Sequence, residues 1–224
     1  MGPPPPPALP RPASSKPSAA SRASTGTKVR VAIRIRPPEL NGGQECIECF
    51  PDGRSITLDL ESSGRQPWPV HGPRARSFAF DTVHPQHTSQ SELFDSCGLP
   101  ELLDTALDGY TATVFAYGQT GSGKTYTVSG KDWTNYSAKS QAELAPSAGL
   151  MQRAAHYLYE SMAARPERRY TVRATYLEIY NEQVVDLIEP RAGTLAVRGT
   201  CSGGFYVDDL SVVQQIGPPP APPR

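Results

Sequence analysis

The sequence has no excess of charge of either sign, no long apolar run and few cysteines. Its 22 basic and 22 acidic residues cancel, so it lacks the net positive charge of a nucleic-acid-binding domain. No run approaches the ~18 apolar residues that a membrane span needs, and the beginning of the chain lacks the apolar region of a signal peptide. We therefore expect a soluble, intracellular protein that neither binds nucleic acid nor inserts into a membrane.

The four cysteines do not suggest the disulfide framework of a small secreted protein. Cys46 and Cys49 have the C-x-x-C spacing of zinc ribbons and redox sites. However, no second C-x-x-C and no nearby pair of histidines completes a metal site. We expect these two cysteines to be strand residues.

Proline is concentrated at the two ends of the chain. Eight of the 24 prolines lie in residues 1–17 and five lie in residues 218–223. Residues 1–28 also carry scattered positive charge and no acid, a composition that buries too little apolar surface to offset the entropy of ordering. We therefore expect a disordered Pro/Ser-rich basic tail over 1–28, a globular body over 29–213 and a Pro-rich tail over 214–224.

The most informative stretch is Gly118–Thr125, which completes the pattern G-x-x-x-x-G-K-[ST] directly behind an apolar run. In such a loop, glycines let successive backbone N–H groups surround phosphates, the lysine neutralises charge and the hydroxyl binds Mg²⁺. The simpler alternative is a Gly-rich surface turn, but a strand before the loop and a helix after it favour a phosphate site. The expected ligands are Gly118, Gln119, Thr120, Gly121, Ser122, Gly123, Lys124 and Thr125, with Thr125 as the metal contact.

Three stretches, in order, resemble the kinesin motor domain. Gly109–Thr127 is similar to its phosphate-binding region, Val29–Pro37 to its first strand with an R-x-R-P ending, and Tyr176–Leu187 to its Y-x-E-I-Y-N-E segment. Within the family, Gly204–Val207 and the short break at Cys97–Gly98 resemble the kinesin-12-like branch.

This resemblance implies an α/β P-loop NTPase fold, with a mixed central sheet flanked by helices. It also implies ATP-driven movement along microtubules, with ATP and Mg²⁺ as ligands, tubulin as partner and a cytoplasmic, cytoskeletal location. In the family, the residues that match Arg34, Arg36 and Pro37 lie beside the adenine and ribose, and a ring at the position of Tyr126 packs against the adenine. From the pattern alone, the arginines also fit an edge strand with a solvated basic face, and Tyr126 fits packing on the sheet.

Periodicity and turn residues predict the remaining elements. The expected strands and β-like runs are Val29–Arg36, Cys46–Phe50, Ser55–Leu60, Thr111–Ala116, Arg169–Tyr180, Thr194–Arg198 and Phe205–Val213. In addition, Ser77–Asp81 resembles the strand that precedes the first helix in the kinesin family. The expected helices are Gln90–Leu107, kinked or restarted at Pro100, and Gly149–Met162. Gly64–Arg76 is expected to be a loop, and 130–148 an irregular insertion. Glu178 and Glu182 lie in a strand-to-turn context, so we expect no catalytic carboxylate pair there.

Two motifs that hydrolysis requires in this family are absent. A nucleoside triphosphatase needs an acidic group that orients Mg²⁺ and a mobile element that senses the γ-phosphate. Kinesins supply these in N-x-x-S-S-R-S-H and D-x-x-G stretches, and residues 126–224 contain neither. The resemblance therefore covers about 29–213, a motor domain incomplete at its C-terminal side. No heptad run is present to form a stalk or an oligomerisation region.

Two functions stay open on the sequence. The first is an ATP-dependent microtubule motor. The second is a truncated, non-hydrolysing isoform that acts as a binding or interfering module. An unrelated P-loop kinase is disfavoured by the match over Tyr176–Leu187. In the family, strands from the missing part lie beside the phosphate-loop strand, so without them this strand is expected to expose unpaired backbone edges.

Overall fold

The protein is described by a computed structural model over residues 29–38, 46–59, 75–131, 144–190, 193–200 and 203–216. The predicted basic tail, the predicted Pro-rich tail beyond Ile216, most of the predicted loop Gly64–Arg76 and the interior of the predicted insertion lie outside these residues. Along the described chain, five strands are followed by four helices and then by six more strands, a mixture of sheets and helices that fits the expected α/β class. The strands form five small sheets, of which one has three strands and the others two. No helix in the described ranges is both long and apolar enough to cross a membrane.

The first sheet is a parallel pair that forms the centre of the hydrophobic core. Strand β1, Ala32–Arg34, pairs with β5, Thr82–His84, so that Ile33 lies opposite Val83. The backbone nitrogen of Ile35 extends this pairing by donating to the carbonyl of His84 at 2.9 Å. The core consists of buried residues and of partly buried residues packed against them. These are Ile35, Ile56 and Val83, with Ile33, Ile47, Cys49 and Phe80 around them.

The three-stranded sheet contains the predicted hairpin. Strands β2, Ile47–Cys49, and β3, Ser55–Asp59, are antiparallel, and the Asp52 carboxylate closes the turn by accepting the backbone N–H of Ser55 at 2.9 Å. Strand β4, Ala75–Ala79, adds to the other edge of β3. It begins two residues inside the predicted loop Gly64–Arg76, because β3 offers backbone partners that far along its edge.

The first predicted helix is two helices, as the proline led us to expect. Helix α1, Gln90–Ser96, begins with a capping box formed by Ser89 and Glu92. Helix α2, Leu99–Leu107, restarts after Gly98, whose φ of 85° suits only glycine well, and has a proline in its first turn.

Helices α3, Lys124–Ser129, and α4, Leu150–Ala163, come together at the base of the predicted insertion. Gly130 and Ala148 form an isolated antiparallel bridge there. The amide of Gln152 at the start of α4 donates to the carbonyl of Ser129 at 2.7 Å. Helix α4 also contacts α1 and α2, with the Tyr157 hydroxyl donating to Asp104 at 2.9 Å. The four helices therefore pack as one group.

The C-terminal part of the described chain forms three antiparallel pairs. Strands β9, Val197–Gly199, and β10, Phe205–Val207, form the small ladder that the sequence predicts. The predicted run Phe205–Val213 is too long, because β10 ends at Val207 and Val213 begins another strand. The single predicted strand Arg169–Tyr180 is wrong, because the chain divides into β6, Thr171–Ala174, and β7, Leu177–Tyr180. The reason is that the two halves have different partners. Strand β6 pairs with β11, Val213–Ile216, and β7 pairs with β8, Gln183–Asp186.

The segment before the phosphate loop also differs from its prediction as a paired strand. Residues 111–117 belong to no strand, and no described residue forms a backbone ladder with them. Phe115 and Tyr117 are 75% and 94% exposed. A strand requires a neighbouring backbone to pair with, and none of the described strands pairs with this segment.

Candidate nucleotide site

The predicted phosphate loop is a compact turn that leads directly into α3. Gly121 and Gly123 have φ angles of 80° and 101°, a conformation that residues with a side chain rarely adopt. The backbone N–H of Ser122 donates to the carbonyl of Gln119 at 3.1 Å. The ammonium of Lys124 donates to the carbonyls of Gly118 and Gln119, both at 2.9 Å. The lysine is therefore held over the loop that precedes it.

An open cleft of about 510 Å³ lies against this loop. It is lined by Arg36, Thr120, Gly121, Gly123, Lys124, Thr125 and Tyr126. The structure thus brings seven of the predicted site residues to one surface. The other predicted site residues, Gly118, Gln119, Ser122, Arg34 and Pro37, do not line this cleft.

Arg36 connects the end of β1 to the phosphate loop. Its guanidinium donates a hydrogen bond to the carbonyl of Gly121, and the side chain lines the cleft next to Tyr126. The cleft therefore has two cationic side chains, from Arg36 and Lys124. Two positive charges at one end of a cleft attract an anionic ligand such as a polyphosphate.

Arg34 contacts Tyr126 and makes hydrogen bonds to the protein through both terminal nitrogens of its guanidinium. It donates to the side chain of Gln90 at 2.7 Å, to the hydroxyl of Thr127 at 3.1 Å and to the carbonyl of Thr88 at 3.2 Å. Its guanidinium carbon is 5.1 Å from the centre of the Tyr126 ring, a cation–π distance. Burial lowers the pKa of Arg34, and contact with Tyr126 partly offsets this shift.

His84 lies beside Arg34 because the two residues are opposite each other in the parallel pair. Its side chain is buried. Burial is the main reason that the pKa of His84 lies below its ordinary value, and the positive charge of Arg34 lowers this pKa further. His84 is therefore neutral at pH 7, which avoids a second positive charge next to Arg34.

Gln90 contacts two of the predicted site residues, Arg34 and Tyr126, and the sequence reasoning missed it. Its side chain is 2% exposed, and its amide donates to the backbone carbonyl of Tyr126 at 2.6 Å. The spacing contains a usable signal, because Leu93 and Phe94 are apolar and lie three and four residues further along the same helix. Gln90 therefore shares their face. A glutamine on the buried face of a helix needs polar partners, which here are Arg34 and Tyr126.

The residues present fit a nucleoside triphosphate with Mg²⁺. Gly121 and Gly123 add no side chain to the cleft that they line, and Thr125, which carries a hydroxyl, lines the same cleft as Lys124. A hydroxyl and phosphate oxygens are hard oxygen ligands of the kind that Mg²⁺ prefers. Thr125 would hold the metal, which would neutralise charge on the phosphate oxygens.

The sequence contains two other pairs of potentially functional side chains, Cys46 with Cys49 and Glu178 with Glu182. Neither pair forms a larger metal-binding or catalytic cluster among the described residues. Cys49 lies in β2, and Cys46 is the residue immediately before this strand. Both cysteines are half-buried and neither forms a disulfide. The part of the chain that the structure describes contains no cluster of three or more potential metal-binding side chains. Glu178 and Glu182 are both exposed in the hairpin of β7 and β8.

Together, the fold and the loop define a protein of the α/β P-loop NTPase class. Comparison with known proteins gives the family. The kinesin motor domain family matches residues 34–216. A solved structure of a fast kinesin superposes with a TM-score of 0.67 at 30% sequence identity, covering 84% of this chain and 48% of that one. The chain belongs to the kinesin motor domain family, which confirms the predicted resemblance.

The similar curated proteins include members of the kinesin-12 branch. Kinesin-like protein KIN-12E of Oryza sativa subsp. japonica is 38% identical over 188 residues, or 81% of this chain and 9% of that protein. Kinesin-like protein KIN-12D of Arabidopsis thaliana is 36% identical over 189 residues, or 82% of this chain and 6% of that protein. These matches confirm the predicted similarity to kinesin-12. The chain spans less than a tenth of the length of these two relatives.

Proposed function

We propose that the cleft binds ATP with Mg²⁺ and that the chain is part of an ATP-dependent microtubule motor. The observation that carries the proposal is the convergence of Arg36, Lys124, Thr125 and Tyr126 on one cleft. The phosphates are assigned to the loop Gly118–Thr125, Mg²⁺ to Thr125 and the adenine to the side of the cleft with Tyr126. Family membership supports the motor assignment, because the matched fast kinesin is described in terms of its ATPase mechanism and microtubule interactions.

ATP binding is tested with Lys124→Ala, measured by isothermal titration calorimetry with Mg²⁺ present. A charged hydrogen bond contributes about 1.5–3 kcal/mol, so we expect ATP affinity to fall by about tenfold to a hundredfold. The matched control is Lys131→Ala, because Lys131 is exposed just beyond α3 and does not line the cleft. Equal affinity for the unchanged chain and Lys124→Ala would contradict the proposed phosphate site.

A second candidate function is a truncated, non-hydrolysing isoform that acts as a binding or interfering module. It is favoured by the absence of both switch stretches from residues 126–224 and by residues 111–117, which pair with no strand in the part of the chain that the structure describes. Steady-state ATP turnover with and without microtubules separates the two functions. Turnover that microtubules stimulate and that Lys124→Ala abolishes supports the motor, whereas ATP binding without turnover supports the module.

The proposed organisation keeps the three parts expected from the sequence. Residues 29–213 form the partial motor domain, between the basic tail 1–28 and the Pro-rich segment 214–224. The proposed location is the cytoplasm, on the microtubule cytoskeleton. In the sequence, the basic tail precedes a body with 17 basic and 22 acidic residues, and it is proposed to attract the acidic surface of tubulin in a salt-dependent way.

A further inference from the structure

The side chain of Gln90 connects three elements beside the nucleotide cleft. It lies at the first position of α1 and is almost completely buried. Its oxygen accepts from Arg34 of β1 at 2.7 Å, and its nitrogen donates to the carbonyl of Tyr126 in α3 at 2.6 Å. The side-chain amide of Gln90 thus holds both Tyr126, which lines the cleft, and the guanidinium of Arg34.

The contacts of Arg34 make the same connection from the other side. Its guanidinium donates to the Thr127 hydroxyl, directly after Tyr126, and lies 5.1 Å from the Tyr126 ring centre. Because Arg34 has protein acceptors in Gln90, Thr88 and Thr127, its contacts support the ring from behind. The Tyr126 ring is 45% exposed, and Tyr126 lines the cleft.

The phosphate end of the cleft depends on different contacts. The Lys124 ammonium is held by the carbonyls of Gly118 and Gln119, and Arg36 is held by the carbonyl of Gly121. Among the described residues, the side chain of Gln90 bonds to Arg34 and Tyr126 and to none of these loop residues. A change at Gln90 should therefore act on the end of the cleft with Tyr126 and leave the loop around Lys124 in place.

We propose that Gln90 is a positioning residue that sets the affinity of the cleft for the base of the nucleotide. It holds the backbone of Tyr126 and the guanidinium of Arg34 in the arrangement that presents the tyrosine ring. This inference rests on the proposed function, because it assigns the base to the side of the cleft with Tyr126. On this proposal, the affinity for the nucleotide has two separate contributions. The contact with the base depends on Gln90, and the contact with the phosphates depends on Lys124.

The test compares ATP with inorganic tripolyphosphate, which has phosphates but no base, as ligands of the full chain by calorimetry. Gln90→Met keeps the length of the side chain and removes both hydrogen bonds. We expect its Kd for ATP to rise about tenfold, the loss of roughly one net hydrogen bond. We expect its Kd for tripolyphosphate to change by less than about twofold, the precision of such comparisons.

Gln152→Met is the matched control. Gln152 also donates its amide to a backbone carbonyl of α3, that of Ser129 at 2.7 Å, but from the opposite end of the helix. This variant should lower the melting temperature without changing the ratio of the two Kd values. A merely structural role for Gln90 predicts the same behaviour for Gln90→Met, so the ratio distinguishes the two roles.

Gln90→Glu is the second variant, used if Gln90→Met does not fold. Its carboxylate still accepts from Arg34 but no longer donates to the Tyr126 carbonyl, so ATP affinity should fall selectively here as well. Equal losses for both ligands, or no loss, in a folded variant overturns the role of Gln90. Failure of the unchanged chain to bind either ligand overturns the proposed function, and the present inference with it.

Discussion

At the end of β8, the carboxylate of Asp186 joins two stretches that are far apart in the sequence. It accepts the backbone N–H of Ser211 at 2.7 Å and that of Ile188 at 2.8 Å, and its residue is 3% exposed. Burial alone raises the pKa of Asp186. The hydrogen bonds from Ser211, Ile188 and Glu189 outweigh burial and lower this pKa to about 2.

The first prediction concerns the pH dependence that follows from this carboxylate. The pKa of Asp186 is lower in the folded chain than its ordinary value of 3.8. Its contribution to the free energy of unfolding is therefore complete above about pH 4 and lost as the pH falls towards about 2. We expect Asp186→Asn to unfold at lower urea concentration than the unchanged chain at pH 7, with the difference shrinking at pH 3.

The control for Asp186 is Asp95→Asn on the exposed face of α1. It should leave the urea midpoint at pH 7 nearly unchanged. A constant difference between Asp186→Asn and the unchanged chain from pH 7 to pH 3 would contradict the charge-dependent role.

Single residues also show where sequence reasoning reached its limit. Lys124 and Thr125 were predicted as site residues because a phosphate loop is a local motif, and both line the cleft. Gln90 was missed because its partners, Arg34 and Tyr126, are separated from it by 56 and 36 residues. No local pattern names such partners, although the helical spacing does place Gln90 on the buried face.

On the scale of elements, the junction of α3 and α4 leaves no room for a side chain. A Cβ atom added to Gly149 would lie 2.5 Å from the backbone nitrogen of Gly130 and would overlap the carbonyl of Val128. The φ of Gly149 is −79°, so the backbone itself would accept alanine. Close contact alone therefore requires glycine at this position.

The second prediction follows from this contact. Gly149→Ala should lower the free energy of unfolding by about 1–3 kcal/mol, the usual result of forcing an extra carbon into a packed site. Gly199→Ala in β9 is the control, because an added Cβ there meets only an ordinary contact at 4.0 Å. Both are measured by urea unfolding, and equal stability of the two variants would contradict the close packing of α3 against α4.

Elements with local signals were predicted well, and those that depend on distant partners were not. The hairpin around Asp52 and the restart of the helix at Pro100 follow from turn chemistry and from the missing N–H of proline. The division between β6 and β7 does not follow from any local signal, because apolar and polar residues alternate through the whole stretch. It arises because β6 pairs with β11 whereas β7 pairs with β8. Periodicity describes one strand at a time and cannot assign its neighbours.

For the whole molecule, the main feature is the segment 111–117, which pairs with no strand among the described residues. The same stretch combines unpaired backbone with exposed aromatic rings at Phe115 and Tyr117. Unpaired edges with apolar side chains can pair with another copy of the chain. The sequence predicted the strand from its apolar pattern, but pairing depends on backbone from elsewhere.

The third prediction is that this segment causes concentration-dependent self-association through backbone pairing. Thr113→Pro removes one N–H donor and keeps every apolar side chain, so it should reduce the self-association seen by sedimentation velocity. Thr113→Val retains the N–H and should associate at least as strongly as the unchanged chain. Equal association of the two variants would show that exposed side chains, rather than backbone pairing, bring the copies together.

The bridge between Gly130 and Ala148 has a practical consequence for engineering this protein. Because the bridge fixes both ends of the intervening stretch beside α3 and α4, the spacing of those ends does not depend on what is placed between them. The entropy of closing a loop grows only slowly with its length. A reporter peptide or an affinity tag could therefore be grafted between Lys131 and Leu144, leaving both chain ends untouched.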